Sequence, residues 1–124
     1  MNDFVGTQLR GWDAATFRTA SGDPTMRSTV MALGILECSP DWPRLKERVE
    51  RLTRVVPTLR MRPLYGPSGL SAPRLAVDPD FDLDVHLRRY RLPEGANWID
   101  LLDEARRMSL NDFDQNRPLW EAAL

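Results

Sequence analysis

Residues 28–37 read STVMALGILE, and this run decides the layer arrangement. In an extended chain, side chains alternate between two faces. Here both faces are apolar, with Val30, Ala32 and Leu36 on one and Met31, Leu33 and Ile35 on the other. A strand of that kind needs a covering layer above and below it. Directly after it, Ser39-Pro40-Asp41 offers capping oxygens and Pro43 falls in a first helical turn, where its missing N–H costs little. Leu45, Val49, Leu52 and Val56 then recur at spacings of three and four, the signature of a helix with one apolar stripe. Glu47 with Arg51 and Glu50 with Arg54 place acid before base at four-residue spacing on the outer face. Pro57 ends the helix, because proline disfavours helical geometry in the residue before it.

Outward from this strand–helix unit the signals are shorter. Leu9 to Ala20 has Leu9, Trp12, Ala15 and Phe17 at near-helical spacing before Ser21-Gly22-Asp23-Pro24 breaks it. Leu59–Leu64 and Leu75–Val77 read as brief strands separated by a loop at Tyr65-Gly66-Pro67-Ser68-Gly69. Phe81, Leu83, Val85 and Leu87 alternate with Asp82, Asp84, His86 and Arg88, which predicts a half-exposed strand. Asn97 caps a further helix with acids early, arginines late and Leu101, Leu102, Ala105 and Met108 as its stripe. Pro118 to Leu124 opens another strand. The order of elements predicts a mixed α/β layer structure.

The 124 residues suit one domain, 42% hydrophobic and 28% charged, with 17 basic against 18 acidic side chains. A net charge of -1 argues against a nucleic-acid partner. Lys46 is the only lysine, so the arginine preference is chain-wide and marks no phosphate-binding patch. Cys38 is the only cysteine and can form no internal disulfide. No basic start leads into an apolar run, and no stretch approaches the roughly 20 apolar residues that span a bilayer. These features predict a cytoplasmic chain whose contact with a membrane is at most peripheral.

Candidate chemistry is sparse. His86 is the only histidine, so a base titrating near neutrality must be His86 or come from elsewhere. The strand reading puts it on a polar face, paired with Asp84. One histidine and one cysteine cannot supply the three or four ligands that zinc takes. Cys38 reads as a packed thiol, with no base close to it in sequence. No G-x-S-x-G elbow and no glycine-rich phosphate loop is present. Asp78, Asp80, Asp82 and Asp84 do not follow the calcium-loop pattern and read as a solvated strand edge. The sequence therefore predicts no catalytic residue, no metal ligand and no cofactor within the chain.

Four segments, in order and spanning nearly the whole chain, resemble the N-terminal half of the bacterial wax ester synthase/diacylglycerol acyltransferase family. They are LRGWDAATF at 9–17, which lacks the family's preceding serine-proline; the run from 28 into PTLRMR at 57–62; DPDFDLDVHLR at 78–88; and NRPLWE at 116–121. The third and fourth at this separation are the most specific.

The resemblance implies part of a chloramphenicol acetyltransferase-like, CoA-dependent fold: a mixed sheet with helices, here 1–124 as the N-terminal portion of the domain. It also implies acyl-CoA as co-substrate and diacylglycerol or a long-chain alcohol as acceptor. In that family the base is the second histidine of His-His-x-x-x-Asp-Gly, an element this sequence does not contain, and His86 matches a non-catalytic histidine. Arg117, Pro118, Leu119 and Trp120 match the motif that shapes the site, although Trp120 reads equally as a core anchor. Two readings follow. One is a piece of an acyltransferase, inactive alone, whose partner is a separate C-terminal chain or a second copy. The other is a stand-alone, non-catalytic module that binds a partner chain or a lipid surface.

Overall fold

The computed structural model describes residues 7–9, 11–27, 29–66 and 73–124. Pro67, Ser68 and Gly69 of the expected loop lie outside the described residues, as do Arg10 and Ser28. The architecture is mixed α/β, with four helices and two small sheets: α1 (Gly11–Gly22), α2 (Trp42–Val55), α3 (Leu83–His86) and α4 (Trp98–Leu110), with β1 (Thr7–Gln8), β2 (Met61–Leu64), β3 (Arg74–Val77), β4 (Leu87–Arg88) and β5 (Ala122–Ala123).

Helix α2 starts where its capping chemistry dictates. The Asp41 carboxylate accepts the Arg44 backbone N–H at 3.0 Å, and proline occupies the first turn. Both expected ion pairs form, Glu47–Arg51 at 3.6 Å and Glu50–Arg54 at 3.1 Å. Asp41→Ala should lower stability by about 1 kcal/mol, since it strips one of the otherwise unbonded first-turn donors of its acceptor. A urea titration of the variant against the parent reads the difference directly.

Helix α4 carries the full reciprocal cap. Asn97 Oδ1 accepts from Ile99 N–H at 2.7 Å and Asp100 N–H at 3.4 Å, while Asp100 accepts the Asn97 N–H at 2.7 Å. Before it, Ala96 N–H bonds Pro93 O at 3.1 Å and Gly95 has φ +81. That is the left-handed third position of a type II turn, which glycine occupies without strain. The stripe foreseen on α4 is only half-covered, with Leu102 43% exposed and no residue of the helix fully buried.

Strands β1, β3 and β2 form an antiparallel sheet in that order, Met61 opposite Val77 and Leu64 opposite Arg74. Leu59 and Arg60, expected as the start of a strand, instead belong to a 3-10 turn over Pro57–Arg60, and the strand begins at Met61. The second sheet pairs β4 with β5 in parallel, Leu87 opposite Ala122. Backbone bonds Tyr90 N–H to Leu124 O (2.8 Å) and Leu124 N–H to Arg88 O (3.0 Å) extend this pairing.

Two expectations are corrected. Residues 29–37 form no strand, and Val30 and Ile35 stand 90% and 77% exposed. An apolar alternation specifies faces, but a strand also needs an edge partner for its backbone groups. None of the described elements supplies one. Residues 83–86, expected as part of a strand, form the helical turn α3 instead. Asp82 caps it by accepting the Asp84 N–H at 3.0 Å, and Leu83, His86 and Leu87 then fall on one buried side. Leu83 and Leu87 are the buried hydrophobic residues among those described. No helix among the described residues is long and apolar enough to cross a membrane.

Candidate functional site

The centre of the structure is a stack of four side chains. The 3-10 turn at 57–60 places Arg60, whose guanidinium carbon lies 4.7 Å over the Phe81 ring. Phe81 lies 5.3 Å from His86 at 11°, and His86 lies 4.8 Å from Trp120 at 21°. Helix α3 positions His86, and the turn before β5 positions Trp120. Trp120 N–H bonds Pro118 O at 3.0 Å, a two-residue closure that puts Leu119 at its apex.

Hydrogen bonds fix the stack. Trp120 Nε1–H donates to Leu59 O at 2.7 Å, and Trp120 O meets His86 Nδ1 at 2.8 Å. A carbonyl can only accept, so Nδ1 carries a proton and donates it to the Trp120 carbonyl. Its Nε2 is buried with no hydrogen-bond partner among the described residues. His86 is 3% exposed, which overturns the expectation of a surface histidine. Its partners lie 34 residues away and across a helical turn, so alternation around 81–87 could not reveal them. The Leu83–His86–Leu87 spacing of three and four was the available signal.

Asp78, expected on a solvated edge with Asp80, Asp82 and Asp84, is instead buried. Its carboxylate accepts the Asp80 N–H at 3.1 Å and stands 4.0 Å from Arg62 Nε. Asp80, Asp82 and Asp84 are exposed as expected, and Asp84 pairs with Lys46 across to α2 at 2.5 Å. Arg62 reaches the far segment through Asn116 O at 3.0 Å.

Glu50 on α2 ties the stack down. Its carboxylate holds Arg60 at 2.5 Å and Arg54 at 3.1 Å. Desolvation pushes the Glu50 carboxyl up, but the hydrogen bonds and charges of Arg60 and Arg54 outweigh it and hold it below its ordinary 4.5. A depressed carboxyl contributes stability above its unfolded value and loses it as pH falls through the folded one. The urea midpoint should therefore drop on acidification from pH 5 toward 3, and Glu50→Gln should remove part of that slope.

Trp120 also lines a trough of about 620 Å³ that α1, Arg27, Thr29, Val30, β3 and residues from 111–121 border. Leu9, Phe17, Val30, Leu75, Phe113, Leu119 and Trp120 supply its apolar lining. Arg27 and Asp112 at its edge form an ion pair. Phe17 also packs on Tyr65 at 6.0 Å, whose hydroxyl donates to Gln115 at 3.0 Å.

The four motif residues divide accordingly. Leu119 and Trp120 line the trough. Pro118 is buried. Arg117 turns toward Asp114, 3.6 Å away, whose carboxyl is held low first by the Asn116 backbone N–H, against a smaller opposing desolvation. No group of three or more metal-binding side chains exists among the described residues, and Cys38 is exposed.

Comparison with known proteins gives this arrangement a context. The sequence model of the wax ester synthase/diacylglycerol acyltransferase catalytic domain matches residues 9–124. A Mycobacterium tuberculosis protein named as a diacylglycerol O-acyltransferase is 41% identical over 102 residues, covering 82% of this chain and 21% of its own length. A second from the same organism is 29% identical over 119 residues, covering 92% and 25%. A Mycobacterium bovis protein of the same name is 32% identical over 114 residues, covering 88% and 24%. The chain thus spans about a fifth to a quarter of the length of these relatives. No solved structure gives a significant match.

Proposed function

Since the chain belongs to the wax ester synthase/diacylglycerol acyltransferase family, we propose that it supplies the N-terminal portion of an acyl-CoA-dependent O-acyltransferase. Diacylglycerol or a long-chain alcohol is the acceptor. On this reading the fold is part of a chloramphenicol acetyltransferase-like layer, and the protein works in the cytoplasm, at most peripherally on the inner membrane or lipid droplets.

The observation that carries the division of labour is the setting of His86. Acyl transfer from a thioester to a hydroxyl needs a base within hydrogen-bond reach of that hydroxyl. His86, the sole histidine, spends Nδ1 on the Trp120 carbonyl and buries Nε2 between two rings. It holds the turn that carries Trp120, and it offers no acceptor hydroxyl an approach. The proton is then taken by a histidine outside these residues, and this chain's contribution is to shape the site through Leu119 and Trp120. Alone it catalyses no transfer.

Translation of the DNA following the Leu124 codon in three frames tests this assignment. A His-His-x-x-x-Asp-Gly element there supports it, whereas unrelated coding sequence contradicts it and favours a stand-alone binding module.

The uncovered run 29–37 favours a partner for this portion, the remainder of an acyltransferase domain on the same or a separate chain. Its exposed Val30, Ile35 and Leu36 form an apolar surface of the kind that marks an interface. Until that partner covers it, the isolated chain should self-associate. Light scattering should show a mass that rises with concentration, and Ile35→Lys, which touches an exposed side chain only, should suppress the rise.

A further inference from the structure

We propose that the trough beside Trp120 binds the uncharged hydrocarbon chain of a lipid substrate and excludes the phosphate-bearing part of coenzyme A. The assignment rests on the acyltransferase reading and names which piece of which substrate this portion of the enzyme takes.

Its volume, about 620 Å³, falls within the range of small-molecule sites, which are mostly apolar with a few placed polar groups. The lining follows that pattern, with Leu9, Phe17, Leu75 and Leu119 among its apolar members. An extended alkyl chain gains from such a surface in proportion to the apolar area it covers and asks for no hydrogen bond.

The charges decide which end of the substrate fits. Four charged residues reach the trough: Asp13, Arg27, Asp112 and Glu121. The single cation, Arg27, is already paired with Asp112, and Glu121 pairs outward with Arg88 at 3.5 Å. Among the described lining residues the balance is thus negative, with no guanidinium or ammonium left for a phosphate. Phosphate recognition requires such donors or a helix N-terminus, and Asp13 stands in the first turn of α1, the helix that borders the trough. An anionic headgroup would meet carboxylates here, while an uncharged alkyl chain is not repelled by them.

The test uses this chain with dodecan-1-ol below its solubility limit and, separately, free coenzyme A, followed by two-dimensional NMR of the backbone and indole N–H groups. The expected result is saturable dodecanol binding with shifts at Phe17, Leu75, Leu119 and the Trp120 indole, and none at those positions with coenzyme A. Ala20→Phe, which projects a ring from α1 into the trough, should weaken dodecanol binding at least tenfold, about 1.4 kcal/mol. Val30→Phe, at a 90% exposed position that carries little folding risk, should weaken it in the same direction.

Coenzyme A shifts at the trough, absence of saturable dodecanol binding, or dodecanol shifts confined to residues 31–37 would each overturn the proposal. The readout involves no acyl transfer. A chain that binds dodecanol yet esterifies unaided would overturn the functional reading and leave the trough assignment standing.

Discussion

Trp120→Ala should lower the stability of the chain by about 3–5 kcal/mol, the range for removing a large packed aromatic. Three losses coincide at this one side chain. The indole ceases to cover the His86 ring at 4.8 Å, the Leu59 carbonyl loses its 2.7 Å donor, and the trough loses part of its apolar lining. Small domains have about 5–15 kcal/mol in total, so the variant should melt at markedly lower urea or lose its cooperative transition. Trp120→Phe keeps a ring against His86 while removing the indole donor and should recover part of the loss. A Trp120→Ala variant as stable as the parent would mean that the stack is incidental to folding.

The second large effect is expected at His86. His86→Ala removes two ring contacts, each worth about 0.5–1.5 kcal/mol beyond burial, and strips the Trp120 carbonyl of its donor, at about 1–3 kcal/mol. A combined loss of about 2–6 kcal/mol follows. His86→Phe restores the ring surface between Phe81 and Trp120 but not the Nδ1–H donor, so its cost should shrink to the hydrogen-bond part alone, about 1–3 kcal/mol. Denaturation of the two variants side by side separates stacking from hydrogen bonding. Equal losses would show that packing at this position contributes little.

Both experiments probe a stack around His86, the residue whose environment local sequence patterning misplaces. Over residues 81–87 two periods overlap: Phe81, Leu83, Val85 and Leu87 alternate as in a strand, while Leu83, His86 and Leu87 share a helical face. Seven residues are too few for periodicity to choose. Asp82 decides it by capping a turn, and the aromatic partner that makes burial of His86 favourable, Trp120, comes from the turn before β5, 34 residues on. Residues 29–37 misled for a related reason. Their composition reports that both faces want covering, but strand formation depends on a partner edge that the described residues do not provide.

The readable parts were those governed by local chemistry. Asp41 with Pro43 and Asn97 with Asp100 set the starts of α2 and α4 through hydrogen bonds spanning three residues or fewer. The acid–base pairs on α2 are likewise four residues apart. The candidate site was legible only as a motif. Sequence order could place Leu119 and Trp120 together, yet the trough they line is completed by α1 and β3, and the Nδ1–H donor of His86 is visible only once the Trp120 carbonyl is seen against Nδ1.

Acyl transfer measured with a radiolabelled long-chain acyl-CoA and either diacylglycerol or a long-chain alcohol tests the central claim most directly. The chain alone should yield no ester above the uncatalysed background, because its one imidazole is closed within the stack; ester formation by the isolated chain, abolished by a change at His86, would contradict the assignment.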